Sequence, residues 1–340
     1  MISIRTVQSP IAVFAGIAAL LAAPATAQTG SRAKARTPRA AHAKAARKPA
    51  PLPCGDLIGF QVLLDRHGFS PGEIDGKRGD NLTHALAALQ AARAIPATGQ
   101  PDCDTWRALG GDTAGSLVRT YTVTDDDMKG PFTENIPRDL EQQAELPDLG
   151  YQSPLEMLAE RFHAAPALLE RMNHGARLAA GRRIQVPATQ PFDPNVTPTA
   201  DANAGTVAIR VSRDESAMRA TRADGTLVFF APVSSGSVHD PLPPGSWKVT
   251  SVDWRPVFHY NPDLFWDAKP EQNRATLKPG PNNPVGVVWI GVNIEHYGMH
   301  GTPEPGHVGH TESHGCVRLT NWDAARLASL VRPGTPVIFQ

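Results

Sequence analysis

After Gly205 the hydrophobic period of this 340-residue chain changes to two. Val207, Ile209 and Val211 alternate with other residues, and "LVFFAPV", "SWKVTSV", "VGVVWIGV" and "TPVIF" follow between turn signals. Alternation of this kind sends every second side chain to one face of a sheet and does not suit a helix. Residues 205–340 are therefore expected to form a predominantly β domain. One capped helix is expected near its end, from about Asn321 to Val331, with Trp322, Leu327 and Leu330 in the core.

The chain before Gly205 reads differently. "DLIGFQVLLDRHGF" has apolar residues at helical spacing, at Leu57, Phe60, Leu63 and Leu64. "SPGEIDGKRGD" is a turn-rich loop, Asn81 or Thr83 can cap a second helix, and "PATGQPDCDTWRAL" follows, so 54–112 is expected as a small helical module. In 150–187, Ser153 can open a helix with Leu155, Leu158 and Phe162 on its apolar side. A second helix carries Leu168, Leu169 and Met172, and "GRRIQVP" closes as a strand. Residues 113–149 are expected as a connector and 188–204 as a Pro/Asn/Asp-rich linker.

The N-terminus has the pattern of an export leader. Ile11 to Ala23 is an apolar run too short to span a bilayer comfortably, and Ala25-Thr26-Ala27 supplies a small-x-small cleavage site. Cleavage of residues 1–27 would place the chain in the periplasm or cell envelope, not as a transmembrane protein; an uncleaved anchor is the alternative. Residues 28–53 hold seven Lys/Arg and no acid, as a solvated tether or a segment drawn weakly to an anionic surface. Over the whole chain the 33 basic and 33 acidic residues balance, which removes an overall electrostatic case for nucleic acid.

Export gives the three cysteines meaning. Cys54 and Cys103 bracket one compact segment and are the natural disulfide pair. Cys316 is left as a free thiol, more easily explained by reactivity than by packing. It sits in "YGMHGTPEPGHVGHTESHGCVRLTNWDAA", together with four histidines. A neighbouring imidazole, here His300, would raise its thiolate fraction. Gly315 permits a tight backbone beside it, and consecutive N–H groups at Gly315 and Cys316 could form an oxyanion hole. Arg318 alternates with Cys316 and can meet a substrate carboxylate. His310-x3-His314 has the spacing of zinc ligands on a helix, but its Gly-rich surroundings are poor helix, so neither metal nor other cofactor is expected.

Taken as a string, "HGTPEPGHVGHTESHGCVRL", with "GPNNPVG" and "PPGSWKV" upstream, resembles the L,D-transpeptidase (YkuD-type) catalytic domain over 205–340. "GFSPGEIDGKRGDNLTHALAALQAARAIPATGQPDCDTWRAL" resembles the three-helix peptidoglycan-binding module, departing from it at Leu89-Gln90, where that family usually shows Phe-Gln. Residues 150–187 resemble a LysM module, with the first strand unclear. The resemblances imply a multidomain chain: a small α-helical peptidoglycan-binding-like module, a small α+β LysM-like module and a β-sandwich-like catalytic domain.

The transpeptidase resemblance carries roles residue by residue. Cys316 falls on the nucleophile and His300 on the proton donor and acceptor, its ring oriented by the Gly301 carbonyl. Ser313, His314 and Gly315 match the loop that supports the oxyanion. Arg318 and Ser313 are the substrate-binding candidates; His307 and His310 have no assigned counterpart and read as surface loop residues. The implied reaction is acyl transfer through a Cys316 thioester on a peptidoglycan stem peptide. A stem amine as acceptor gives a 3→3 crosslink, water gives L,D-carboxypeptidase activity, and a lysine of an envelope protein gives wall anchoring. A wall-binding protein with an inactive catalytic domain is the non-enzymatic alternative.

Overall fold

The computed structural model describes residues 51–340. The expected leader, and the basic tether up to residue 50, lie outside the described residues. Among the described residues no helix is long and apolar enough to cross a membrane.

Three helices open the described chain, α1 (Leu57–Arg66), α2 (Asp80–Ala92) and α3 (Cys103–Ala108). Asp56 caps α1 by accepting from Gly59 N, and Asp102 caps α3 by accepting from Thr105 N. The cap of α2 is Gly79, not Asn81 or Thr83; the Thr83 hydroxyl bonds back to the Gly79 carbonyl instead. Phe60, Leu63, Leu64, Leu86 and Leu89 fill the core. Cys54 and Cys103 are disulfide-bonded, as the sequence suggested, and Cys316 is free. At the Leu89-Gln90 departure, Leu89 is fully buried and Gln90 staples the following loop, donating to Thr105 Oγ1 and accepting from Gly99 N.

The next unit begins earlier than expected. Strand β1 (Val118–Thr122) lies inside the presumed connector and pairs antiparallel with β2 (Arg183–Pro187). Between them run α4 (Asp125–Lys129), α5 (Leu140–Glu145), α6 (Pro154–Arg161) and α7 (Pro166–Met172). Ser153 caps α6 as read, and Leu158, Phe162, Leu168 and Leu169 share a core with Ile184 and Val186 of β2. The unit is thus a βααβ arrangement with a long insertion after its first strand.

The rest is mainly β. Strands β3 (Val207–Ser212), β4 (Ala217–Arg222), β5 (Leu227–Pro232), β6 (Ser234–Ser235) and β7 (Gly245–Trp254) come first. A small hairpin, β8 (Phe258–Tyr260) and β9 (Ala275–Leu277), follows. Then come β10 (Val288–Val292), β11 (Gly298–His300), β12 (Val317–Arg318), α8 (Asn321–Leu330) and β13 (Pro336–Phe339). Nine strands form one sheet in the order β5-β4-β3-β13-β7-β10-β11-β12-β6. The ten-residue β7 pairs with β13 through its first half and with β10 through its second, so it joins both halves of the sheet. Side chains from both halves and the apolar side of α8 make one core, including Ile209, Phe229, Ile290, Val317 and Leu327. The edge strand β5 does not stay open. Ser70 N donates to Phe230 O and Phe230 N to Gly68 O, so a loop of the helical module covers the edge, which would otherwise invite association.

Candidate active site

The register of the sheet places the site. β11 runs parallel to β12 with Met299 beside Val317 and His300 beside Arg318. Met299 and Val317 are fully buried in the core, so by alternation His300, Arg318 and Cys316 belong to the opposite face. The same row continues through Trp289 of β10, paired with His300, to Asp253 of β7. This face opens into a cleft of about 970 Å³ lined by Cys316, His300, His314, Arg318, Trp289 and Tyr297, among others.

His300 is 4% exposed. Its Nδ1 lies 2.6 Å from the Gly301 carbonyl, which can only accept, so Nδ1 carries the proton and Nε2 is left with its lone pair. Trp289 stacks on the ring at 5.5 Å and 16°. Burial pushes the imidazole down to about 3, the Arg318 charge adds to the effect, and the Gly301 carbonyl opposes it. Cys316 moves the other way: burial raises the thiol, against the Gly298 N–H and the Arg318 charge. Its Sγ lies 3.5 Å from the His296 carbonyl, an acceptor for the S–H proton. Both shifts favour a neutral thiol beside a neutral imidazole. Enclosure by protein penalises both charges and so works against the higher thiolate fraction that a neighbouring imidazole would give.

The loop before Cys316 is held from below. Gly315 has φ +99°, and a Cβ there would come within 2.8 Å of the Tyr297 ring, so both conformation and space require glycine. Ser313, expected at the substrate, is instead buried: its hydroxyl donates to the Cys316 carbonyl at 2.5 Å and accepts from Gly236 N at 2.8 Å. It positions the nucleophile loop. His314 gives Nε2 to Asp267 at 2.8 Å and presents its ring to the edge of Phe265, while its Nδ1 is buried without a partner. His310 and His314 lie in turns, not on a helix. His307 pairs with Glu304, and the loop 305–310 rests on the helical module, where Asn81 Nδ2 donates to Val308 O at 2.9 Å. Among the described residues no cluster of three potential metal ligands forms.

Several lining groups had no sequence signal. Arg138 and Leu140 come from the presumed connector, and Asp267 and Phe265 from the segment between β8 and β9. Leu149 joins Tyr260 and Leu277 in a separate small core, and Glu141 bonds Asn273 N, so the connector buttresses the hairpin that walls the cleft. Trp289 and Tyr297 were readable only as strand and loop residues.

Comparison with known proteins finds matches for two regions of the chain. Residues 206–339 match the L,D-transpeptidase catalytic domain family, YkuD, and residues 56–109 match a peptidoglycan-binding domain family. YkuD of Bacillus licheniformis, named as an L,D-transpeptidase, is 28% identical over 186 residues, covering 54% of this chain and 91% of that protein. YkuD of Bacillus subtilis is 44% identical over 57 residues, covering 17% of this chain and 35% of that protein. Among solved structures, L,D-transpeptidase 3 from Mycobacterium tuberculosis is 18% identical with a TM-score of 0.34, covering 48% of this chain and 76% of that one.

The chain carries an L,D-transpeptidase catalytic domain behind a peptidoglycan-binding domain.

Proposed function

We propose that this enzyme acts on peptidoglycan in the cell envelope, transferring a stem-peptide acyl group through a thioester on Cys316. The observation that carries the reading is the placing of Cys316 and a His300 whose Nδ1 is already bound by Gly301 in one cleft. Nε2 is then the free base. The thiol leaves the His296 carbonyl, gives its proton to Nε2 as sulfur attacks the donor carbonyl, and so needs no preformed thiolate. The indole face of Trp289 favours the imidazolium that forms. That imidazolium protonates the departing terminal D-residue, and the neutral ring then accepts the proton of an incoming stem amine. Gly315 and Cys316 amides face the oxyanion, and Arg318 supplies positive charge for a donor carboxylate.

A cleft near the upper end of the usual ligand-pocket range leaves room for a donor and an acceptor together. A stem amine as acceptor yields the 3→3 crosslink. Export of the chain and glycan contact by the helical module, and by the βααβ unit through its LysM-like pattern, belong to the same proposal. Mass spectrometry of muropeptides incubated with the full chain tests it. Crosslinked dimers absent with Cys316→Ala are expected. Hydrolysed stems alone would mean an L,D-carboxypeptidase, protein-linked stems an anchoring transferase, and no product with retained wall binding a non-catalytic protein.

A further inference from the structure

The helix that follows the nucleophile strand begins among groups from outside the catalytic domain. Three consecutive side chains in the first turn of α8 are each gripped by the front half of the chain. Asn321 Nδ2 donates to Glu160 Oε1 of α6 at 3.0 Å. Trp322 stacks on His163 at 5.0 Å and 6°, and His163 Nδ1 lies 2.9 Å from Asp65 of α1. Asp323 Oδ2 accepts from Ser70 Oγ at 2.7 Å. All of these residues are buried.

Asn321 also reaches the active site. Its Oδ1 accepts from Val287 N at 3.2 Å. A Cβ on Gly301 or on Gly286 would collide with that same oxygen, so the amide lies flat against the Gly301 backbone. Gly301 is the residue whose carbonyl holds His300 Nδ1. The amide of Asn321 has three partners that decide its orientation: Val287 N–H on the oxygen side, and Glu160 and the Pro281 carbonyl on the nitrogen side. Glu160 Oε1 is itself fixed, since it also accepts from Tyr151 OH at 3.2 Å.

We infer that Glu160, in the βααβ unit, is a positioning residue for the proposed transfer: it holds Asn321, which seats the Gly301 backbone and thereby the His300 ring. The inference rests on the role proposed for His300. It changes the meaning of the front half of the chain, which then completes the catalytic centre as well as binding wall polymer. A small misplacement of a general base costs far more in turnover than in binding.

The test uses the full-length protein with two readouts, D-residue exchange on a soluble tetrapeptide and ¹⁵N-histidine NMR of the His300 Nδ1 proton. Glu160→Ala is expected to lower kcat roughly tenfold or more with KM nearly unchanged, and to shift or broaden the Nδ1 signal. Glu160→Gln keeps an acceptor oxygen and is expected to restore both. If Glu160→Ala does not fold, Asn321→Asp removes the donated hydrogen bond while keeping the oxygen that Val287 N–H needs, and should reproduce the NMR change. A folded Glu160→Ala or Asn321→Asp with the wild-type His300 signal and turnover overturns the inference, as does Glu160→Gln no better than Glu160→Ala. Wild-type protein inactive on the tetrapeptide would overturn the proposed function instead, and the NMR readout needs no substrate.

Discussion

His300 and His314 line the same cleft as one thiol, and almost nothing else about them is alike. His300 sits in a strand, is buried, and is clamped through Nδ1 to a carbonyl with an indole over its face. His314 sits in a bend, is 28% exposed at its side chain, and is hydrogen-bonded through Nε2 to Asp267. One imidazole is held neutral with its base nitrogen free. The other has that nitrogen occupied and a carboxylate beside it. On the proposed mechanism the difference teaches that proximity in sequence to the nucleophile is a poor guide to the base: His314 is two residues from Cys316 and His300 sixteen.

The largest expected effect separates the two. His300→Ala should reduce turnover by about 10²-fold or more, the usual size of general acid–base help. An equal loss on His314→Ala, measured by tetrapeptide exchange, would erase the contrast. The pH profile sharpens it next. His300 stays neutral down to about 3, so kcat/KM should show no acid limb of its own at the ordinary imidazole value near 6.5. Above that the profile should stay flat until the raised thiol itself ionises, because the reactive pair is the neutral thiol and the neutral imidazole. An acid limb near 6.5 that persists in His314→Gln would contradict the burial of His300.

A smaller effect is expected at the exposed histidine. His314→Ala and Asp267→Asn should each cost roughly threefold, and the double variant no more than either alone, since both remove one pair. Additive losses would mean that the two act separately on substrate. Stability carries the smallest expected effect. Burial raises Glu160 to about 8 and Asp323 to about 7, so the folded protein keeps protons that the unfolded chain releases above its carboxyl range. Stability should therefore fall as pH rises from about 4 to 8. His300 acts oppositely: the unfolded chain gains a proton below about 6.5 that the folded ring refuses until about 3, so stability falls as pH drops through that window. Glu160→Gln should flatten the alkaline decline in Tm by a few degrees. A decline as steep as in the wild type would assign it elsewhere.

Much of this architecture was legible because it is local. Alternation at Val207, Ile209 and Val211 and the helix starting at Asn321 each lie within a few residues, and each stands where it was read. Long-range partners were not legible. Strand β1, "VRTYT", is short and half-exposed, and becomes a strand only because β2 lies against it some sixty residues on. Asp267 meets His314 across 47 residues, and Glu160 meets Asn321 across 161. Neither pairing leaves a periodicity. Ser313 reads as a polar loop residue free for substrate, and only its burial shows that its hydroxyl is already shared between Gly236 and Cys316.

The loop of the helical module that covers β5 also bears on how such chains can be recombined. Residues 56–109 are a recognisable domain by their own sequence pattern, with a disulfide from Cys103 to Cys54 just before them and a core that Ala217 and Phe230 of the catalytic domain share. Yet Ser70 supplies a donor to Asp323, Asn81 a donor to the Val308 carbonyl, and Gly68–Ser70 the partner for Phe230. A chimaera carrying another member of that domain family would restore the helices and the backbone pairing but not the Ser70 and Asn81 side-chain donors. It would leave the buried Asp323 Oδ2 with Thr320 Oγ1 alone and take a donor from the Val308 carbonyl, at roughly 1–3 kcal/mol each. The piece that similarity recognises as a module is smaller than the piece that could be exchanged, which must include the surface it has grown against.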